Sequence, residues 1–262
     1  MLNFAPYHDN MKRFQLLIAL IAAMATISVS ASAQTASPDT YLDNIREEFA
    51  KRWPASRTIN FVFHGHSVPA GYAKTPLVNT LDAYPYQTLV TIKRYFPQAI
   101  PNTITTAIGG EQSEQGCERF ESDVLTHKPD VLFIDYGLND RTIGVERSEK
   151  AWRKMIEAAL ERDIKVILCT PTPDLSARMT NPDDPLTRQA EMVRRLAAEY
   201  HVGLADFFAE FVGLIEKGEK LQDYMSQINH PNAKGHQVAE SVIARWILTA
   251  EQYADYSGKT GE

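Results

Sequence analysis

Short apolar runs recur along the chain and end at glycine or proline. The first run ends at Gly65, the third and most apolar run ends at Gly137, and Pro171 follows the fourth. Continuous apolar runs of this length, bounded by turn residues, are typical of strands that are buried on both faces of a sheet. Five strands are therefore predicted, over residues 58–63, 103–108, 130–136, 164–169 and 202–205.

Segments with helical spacing separate these strands. Trp152, Met155, Ile156 and Ala159 repeat at the intervals that place them on one face of a helix. Asn232 is a good N-cap for the last helix. Strands that alternate with helices predict a mainly parallel, five-stranded sheet between two layers of helices. The predicted helices cover residues 81–96, 113–126, 148–161, 186–200 and 207–217, with a final helix from about residue 232.

Polar residues follow the predicted strands directly. The carboxyl ends of parallel strands lie at one edge of a sheet, and open α/β sheets bind their ligands outside that edge. We therefore expect the loops after the strands to form one site. These loops comprise residues 64–67, 109–111, 137–141 and 170–185, together with residues 229–232 before the last helix.

The first 33 residues have the layout of a secretory signal peptide. A basic start at residues 11–13 precedes an apolar run over residues 14–29 and a small-x-small sequence at residues 31–33, so that Met11 is an alternative initiator to Met1. A transmembrane anchor is the competing interpretation, but the run is short for a span and contains polar side chains. We expect a secreted or periplasmic protein, with no stable membrane insertion after signal cleavage.

Charge and cysteine content narrow the classes of partner. The net charge of −6 argues against nucleic acid and anionic membrane surfaces. Cys117 and Cys169 are the only cysteines of the 262-residue sequence, too few for a disulfide framework. Two buried free thiols are expected, although a disulfide between them remains open at this stage.

The loops after the strands contain the groups that an acyl-transfer site needs: a nucleophile, a base and donors for an oxyanion. Ser67 lies on a turn after an apolar strand, where its hydroxyl is presented and its own N–H is free. Gly110 can bring a backbone N–H close to a ligand because it has no Cβ. Asn139 supplies an amide donor, and His230 can act as a general base toward Ser67.

Four sequence blocks resemble those of the SGNH (GDSL-like) hydrolase superfamily. They are Gly-His-Ser67, Ile-Gly-Gly110-Glu, Gly-Leu-Asn139-Asp and Asn-His230-Pro-Asn, in the family's order and over nearly the whole mature chain. The resemblance implies that Ser67 is the nucleophile and His230 the base. It also implies an oxyanion hole of the Ser67 N–H, the Gly110 N–H and the Asn139 side chain. The implied fold is a flavodoxin-like three-layer α/β/α sandwich. The implied reaction needs no metal or other cofactor.

The sequence departs from the family pattern at two positions. His66 stands where the family usually has the aspartate of Gly-Asp-Ser, and Gln227 stands where Asp-x-x-His-Pro has the triad aspartate. A carbonyl oxygen, from Gln227 or from the backbone, could accept the imidazole N–H but would stabilise an imidazolium less than a carboxylate does. Asp223 is the nearest upstream acid, at the wrong spacing for a simple replacement. We predict a Ser67–His230 dyad with a neutral orienting group.

Other histidines and aromatic residues near the loops have structural explanations. His64, His66 and His236 show no metal-ligand spacing, and strand alternation would turn His64 and His66 to one side, away from Ser67. We therefore expect His64 and His66 to hold the loop behind the nucleophile by hydrogen bonds, and His236 to have a structural role within the last helix. Tyr72 is a candidate for stacking on a sugar, and Arg141 is a candidate for binding an acidic group, although packing and ion pairing explain both equally well.

Together these features predict a carboxylic ester hydrolase that removes a small acyl group, in particular acetyl, from a carbohydrate. A lipase or thioesterase is the first alternative, and a non-catalytic relative that binds glycans or protein is the second, supported by the missing aspartate. The predicted segments are a signal peptide over residues 1–33, an N-terminal segment over 34–56, the hydrolase domain over 57–250 and a C-terminal tail over 251–262.

Overall fold

The structure is a computed structural model, and it describes residues 34–260. The predicted signal peptide lies outside the described residues. The seven strands of the described part are β1 (Thr58–Gly65), β2 (Ile100–Thr105), β3 (Val131–Asp135), β4 (Lys165–Cys169), β5 (Gly203–Ala205), β6 (Met225–Gln227) and β7 (His230–Pro231).

Eleven α-helices accompany these strands within residues 34–260, and none of them is long and apolar enough to cross a membrane. They are α1 (Asp43–Ala50), α2 (Ser67–Ala70), α3 (Tyr84–Tyr95), α4 (Ser113–Glu118), α5 (Phe120–Asp123), α6 (Gly137–Asp140), α7 (Val145–Leu160), α8 (Pro185–Glu199), α9 (Phe207–Glu216), α10 (Ala233–Ile247) and α11 (Ala250–Thr260).

The predicted fold class is confirmed. Strands β1 to β5 form one parallel sheet in the order β2-β1-β3-β4-β5, which is the strand order of flavodoxin-like proteins. The order reverses at β1, so the loops after β1, β2 and β3 lie side by side at one edge. A small antiparallel hairpin of β6 and β7, not predicted from the sequence, places His230 at its second strand.

Apolar side chains on both faces of the sheet form the core. On one face the rings of Phe63 and Phe133 stack with centroids 4.4 Å apart, and Phe61 stacks against Phe49 of helix α1 at 5.8 Å. On the other face Trp152 of helix α7 is fully buried among strand side chains. Burial on both faces explains why the central strands are continuously apolar.

Strand β2 begins and ends three residues earlier than the predicted range of 103–108. It pairs in register with β1 at the edge of the sheet, and its side chains are only partly buried. An edge strand tolerates Pro101 and polar residues, which hid the strand in the sequence. Residues 106–108 still follow β1, because the N–H groups of Thr106 and Ile108 donate to the carbonyls of Phe63 and Gly65.

The predicted helix over residues 113–126 is divided into α4, α5 and a 3-10 turn. The chain leaves helical geometry at Arg119, with φ −99° and ψ 6°, and the Arg119 guanidinium there bonds to the carboxylate of Glu111.

Most of the segment predicted as a C-terminal tail is helical, as part of α11, and its Tyr256 is buried. Cys169 is buried, but Cys117 is only half-buried, and both thiols are free.

Candidate active site

Ser67 lies at the start of helix α2, directly after the turn that ends β1. The turn packs closely against β3: a Cβ on Gly65 would stand 2.4 Å from the Asp135 carbonyl oxygen, so only glycine fits there. The Val68 N–H donates to Nδ1 of His66 at 3.2 Å, which fixes the turn from behind. Among the described residues no protein group accepts the Ser67 N–H, so it remains available to a ligand.

His230 meets Ser67 at this edge of the sheet. Its Nε2 lies 2.9 Å from Oγ of Ser67, and both side chains are buried to more than nine-tenths. The carbonyl oxygen of Ala73 lies 2.9 Å from Nδ1 of His230. With the proton on Nδ1 and bonded to this carbonyl, Nε2 is free to accept the Ser67 hydroxyl proton. Burial lowers the pKa of His230, so the imidazole is held neutral, as a base must be.

Gln227 also contacts His230, but through the nitrogen of its amide. Its Oε1 accepts the Thr75 N–H at 3.0 Å, which turns Nε2 toward Nδ1 of His230 at 2.8 Å. In this orientation Gln227 can donate to an unprotonated Nδ1 but cannot accept from a protonated one. The two neighbours of Nδ1 therefore favour opposite tautomers: Ala73 favours the proton on Nδ1, and Gln227 favours it on Nε2.

Asp223 does not take part in this arrangement. It is exposed in the 3-10 turn before β6, and within residues 34–260 its carboxylate makes no hydrogen bond to His230. Its backbone carbonyl accepts from the side chain of Asn232, and its backbone N–H donates to the Lys220 carbonyl. The groups that contact Nδ1 of His230 are Ala73 and Gln227 instead.

Gly110 and Asn139 lie on two neighbouring loops that are joined to each other. Nδ2 of Asn139 donates to the Glu111 carbonyl at 2.8 Å, and the amide keeps a second hydrogen for a ligand. Gly110 has φ +85°, with open space where a Cβ would be, and no group of the described chain accepts its N–H. The Gly110 N–H and one amide hydrogen of Asn139 thus have no acceptor within the described chain, as is true of the Ser67 N–H.

The buried carboxylate of Asp140 supports this loop from within. Its two oxygens accept the Ser113 N–H and the indole N–H of Trp152, each at 2.8 Å. Burial raises the pKa of Asp140, while the hydrogen bonds from Ser113 and Trp152 oppose that shift. Asp140 therefore ties the loop of Asn139 to the start of helix α4 and to helix α7.

The three buried histidines that invited a metal hypothesis have hydrogen-bonding partners instead. His64 contacts Thr106 and the Gly116 carbonyl, and burial lowers its pKa to about 3. Nδ1 of His236 accepts the Tyr84 N–H, and burial lowers its pKa to about 4. Within the described chain no group of His, Cys, Asp and Glu is arranged to hold a metal ion.

His66 is the N-cap of helix α2, and its ring, like that of His64, packs edge-on against the ring of Tyr136. Its Nδ1 accepts from Val68, so the proton of a neutral ring sits on Nε2, which lies 3.4 Å from Oδ1 of Asp135. Sequence reasoning missed Asp135, since the last residue of a strand carries no signal of the group that it faces.

Tyr72 and Arg141 make different contacts near the site. The Tyr72 ring packs on Gly109 and stands 5.9 Å, centroid to centroid, from the ring of His230. Arg141 follows helix α6 and forms an ion pair with the buried Asp174 at 2.6 Å. Tyr72 is therefore a neighbour of the proposed base, His230. Arg141 lies two residues after Asn139 and is held by Asp174.

Comparison with known proteins decides the family. The model of the GDSL-like Lipase/Acylhydrolase family matches residues 63–238, a range that contains Ser67, Gly110, Asn139 and His230. The chain belongs to this family. An uncharacterized lipoprotein of Bacillus subtilis (strain 168), YqeF, is 37% identical over 78 residues, which are 27% of this chain and 32% of the lipoprotein.

Solved structures of family esterases share the fold. A two-domain esterase (CEX) active on acetylated mannans superposes with a TM-score of 0.67 at 20% identity, over 84% of this chain and 55% of its own. Axe2, an acetylxylan esterase from Geobacillus stearothermophilus, superposes with a TM-score of 0.62 at 20% identity, over 72% of this chain and 94% of its own. The chain thus spans about a third of the lipoprotein and about half of the two-domain esterase.

Proposed function

We propose that this chain is a secreted or periplasmic serine esterase that removes acetyl groups from a carbohydrate. The observation that carries the proposal is the 2.9 Å contact between Nε2 of His230 and Oγ of Ser67, on a turn whose own N–H is free. The acetyl group and the carbohydrate are suggested by the structural neighbours, which are named for acetylated mannans and acetylxylan.

The reaction runs through an acyl-enzyme. Oγ of Ser67 attacks the ester carbonyl carbon as its proton passes to Nε2 of His230, and the N–H groups of Ser67 and Gly110 and the amide of Asn139 stabilise the oxyanion. As the C–O bond to the sugar breaks, the proton on Nε2 goes to the departing sugar oxygen. His230 then takes a proton from water, whose oxygen attacks the acyl group, and acetate leaves as the proton returns to Ser67.

Ester hydrolysis by matched variants tests this proposal. We expect wild type to hydrolyse p-nitrophenyl acetate faster than long-chain esters and to release acetate from acetylated oligosaccharides. Ser67→Ala and His230→Ala should each lose at least about 1,000-fold in kcat. An unchanged kcat in Ser67→Ala would exclude this nucleophile. Wild type without activity on any ester, but with affinity for glycans, would identify a non-catalytic binding protein.

A lipase or thioesterase is the second candidate, because apolar side chains surround the site. Val78 pairs with the backbone of Tyr72, Ile108 precedes the glycines of the second loop, and Ile228 lies two residues before His230. Each of these three is 45–53% exposed. Under this alternative, kcat/KM would rise with acyl chain length, whereas the acetyl esterase prefers the shortest chain.

A further inference from the structure

A groove beside the proposed oxyanion loop has no role in the reaction described above. It has a volume of about 730 Å³ and lies between the start of helix α7 and the first turns of helix α8. This volume falls within the range of roughly 300–1,000 Å³ that is usual for sites of small ligands. Its lining includes Val145, Pro185 and Met192 on the apolar side and Arg141, Arg188 and Arg195 on the polar side.

The groove is connected to the catalytic loops at one end. Arg141, two residues after Asn139, pairs with Asp174, and the next residue, Leu175, donates its N–H to the Ile228 carbonyl of the hairpin that carries His230. A chain bound along the groove would therefore meet Arg141 just before it reaches the proposed oxyanion hole.

The wall of the groove is fixed by a buried amide. Gln189 of helix α8 is 1% exposed; its Nε2 donates to the Asp140 carbonyl, and its Oε1 accepts the hydroxyl of Ser148. Helix α8 is thereby held against both α6 and α7. A preformed groove of this kind costs a ligand little ordering energy on binding.

The charges around the groove are balanced, which indicates the kind of ligand. Each arginine has a carboxylate partner: Arg141 has Asp174, Arg188 has Asp183 and Arg195 has Glu149. Glu191, which also lines the groove, pairs with Arg194. Such a surface presents guanidinium N–H donors with little net positive charge. It therefore suits neutral hydroxyl-bearing ligands better than carboxylates or phosphates.

We infer that this groove binds the neutral sugar residues next to the acetylated one, so that the enzyme prefers oligosaccharides to isolated acetylated sugars. The C–H faces of the sugar rings would lie on Val145 and Pro185, and ring hydroxyls would accept from Arg141 and Arg188. This inference rests on the proposed function and names the part of the substrate that the groove recognises.

Two substrates of different length test the inference in the full chain. Arg188→Ala removes an exposed arginine of the groove. Arg162→Ala is the matched control, because Arg162 lies just beyond the far end of helix α7, whose 16 residues span about 24 Å. We expect KM for acetylated neutral oligosaccharides of four or more units to rise about five- to tenfold in Arg188→Ala, with kcat unchanged. Hydrolysis of p-nitrophenyl acetate should stay at the wild-type rate in both variants.

Each other outcome has a distinct meaning. Equal losses on both substrates, or no change on either, would overturn the groove assignment while leaving the esterase intact. Tighter binding of acidic than of neutral oligosaccharides would overturn the neutral ligand. If wild type cleaves p-nitrophenyl acetate but no acetylated glycan, the proposed carbohydrate substrate is wrong, although the esterase activity is not. Calorimetric titration with unacetylated neutral oligosaccharides then tests the groove alone: binding that Arg188→Ala weakens supports it, and no binding overturns it.

Discussion

The carbonyl oxygen of Ala73 and Nδ1 of His230 lie 2.9 Å apart, on the opposite side of the imidazole from the Nε2 that contacts Ser67. A backbone carbonyl can fix the tautomer in which Nε2 accepts a proton. It carries no net charge, so it stabilises an imidazolium less than an aspartate does. The neighbouring amide of Gln227 opposes this tautomer, because its Oε1 is engaged by the Thr75 N–H.

Gln227→Glu should therefore raise esterase activity. A glutamate of the same shape would accept from Thr75 with one oxygen and from Nδ1 of His230 with the other. We expect kcat/KM to rise about tenfold, from a charge-assisted hydrogen bond. The acidic limb of the pH–rate profile should also move to higher pH, since a negative charge raises the pKa of His230 from a value that burial lowers in wild type.

Gln227→Ala is the control for that experiment. It removes both the amide donor and the contact with Thr75 but leaves the Ala73 carbonyl in place, so kcat/KM should stay within about threefold of wild type. A lower rate in Gln227→Glu, or an acidic limb that does not move, would contradict the assignment of Ala73 and Gln227 to opposite tautomers.

Asn139→Asp should lower kcat by about 100- to 1,000-fold, because the change keeps the shape of the side chain and replaces the donor of the oxyanion hole with an acceptor. The same change removes the 2.8 Å bond to the Glu111 carbonyl, so thermal unfolding must be followed in parallel. A loss of kcat with a nearly unchanged KM and a folded protein at the assay temperature supports the role. A change in KM alone would assign Asn139 to substrate binding.

Gly110→Ala should slow the reaction without a steric clash. Gly110 has φ +85° and open space around a Cβ, so alanine is opposed only by the backbone conformation, at a cost of about 1 kcal/mol. Gly218 is a matched control, with φ +86° and equal space at the end of helix α9. Both alanine variants should lose similar stability in urea titrations, but kcat should fall only in Gly110→Ala. Equal kcat values in the two variants would contradict the assignment of the Gly110 N–H to the oxyanion hole.

The order of strands and helices is enough to predict that three of the candidate site residues lie at one edge of the sheet. Ser67, Gly110 and Asn139 each follow a strand of one parallel sheet, so their position at one edge follows from the alternation of strands and helices. His230 could be placed only through the resemblance to the family, because the hairpin that carries it is too short and too polar to show in the sequence.

The sequence predicts a neutral group beside His230, but the particular groups that contact its Nδ1 could not be predicted, for a physical reason. Ala73 acts through its backbone carbonyl, which every residue possesses, and the orientation of the Gln227 amide is decided by the Thr75 N–H, 152 residues away in the chain. Likewise, the contact of His66 with Asp135 could not be predicted from the sequence, because the strand ends one residue before His66. Contacts between residues of different loops depend on the paths of those loops, which the sequence pattern does not predict.

Acid should destabilise the fold through its buried histidines. Burial lowers the pKa of His236 to about 4 and that of His64 to about 3, whereas an unfolded histidine titrates near 6.5. Between pH 6.5 and 4 the unfolded chain therefore binds more protons than the folded one, so stability is full above about pH 6.5 and falls as the pH falls. His236→Gln should reduce the loss of unfolding free energy between pH 7 and 4.5 by on the order of 2 kcal/mol. Urea titrations at both pH values measure this difference. The exposed His127→Gln is the control that should behave as wild type, and parallel pH dependence in wild type and His236→Gln would contradict the prediction.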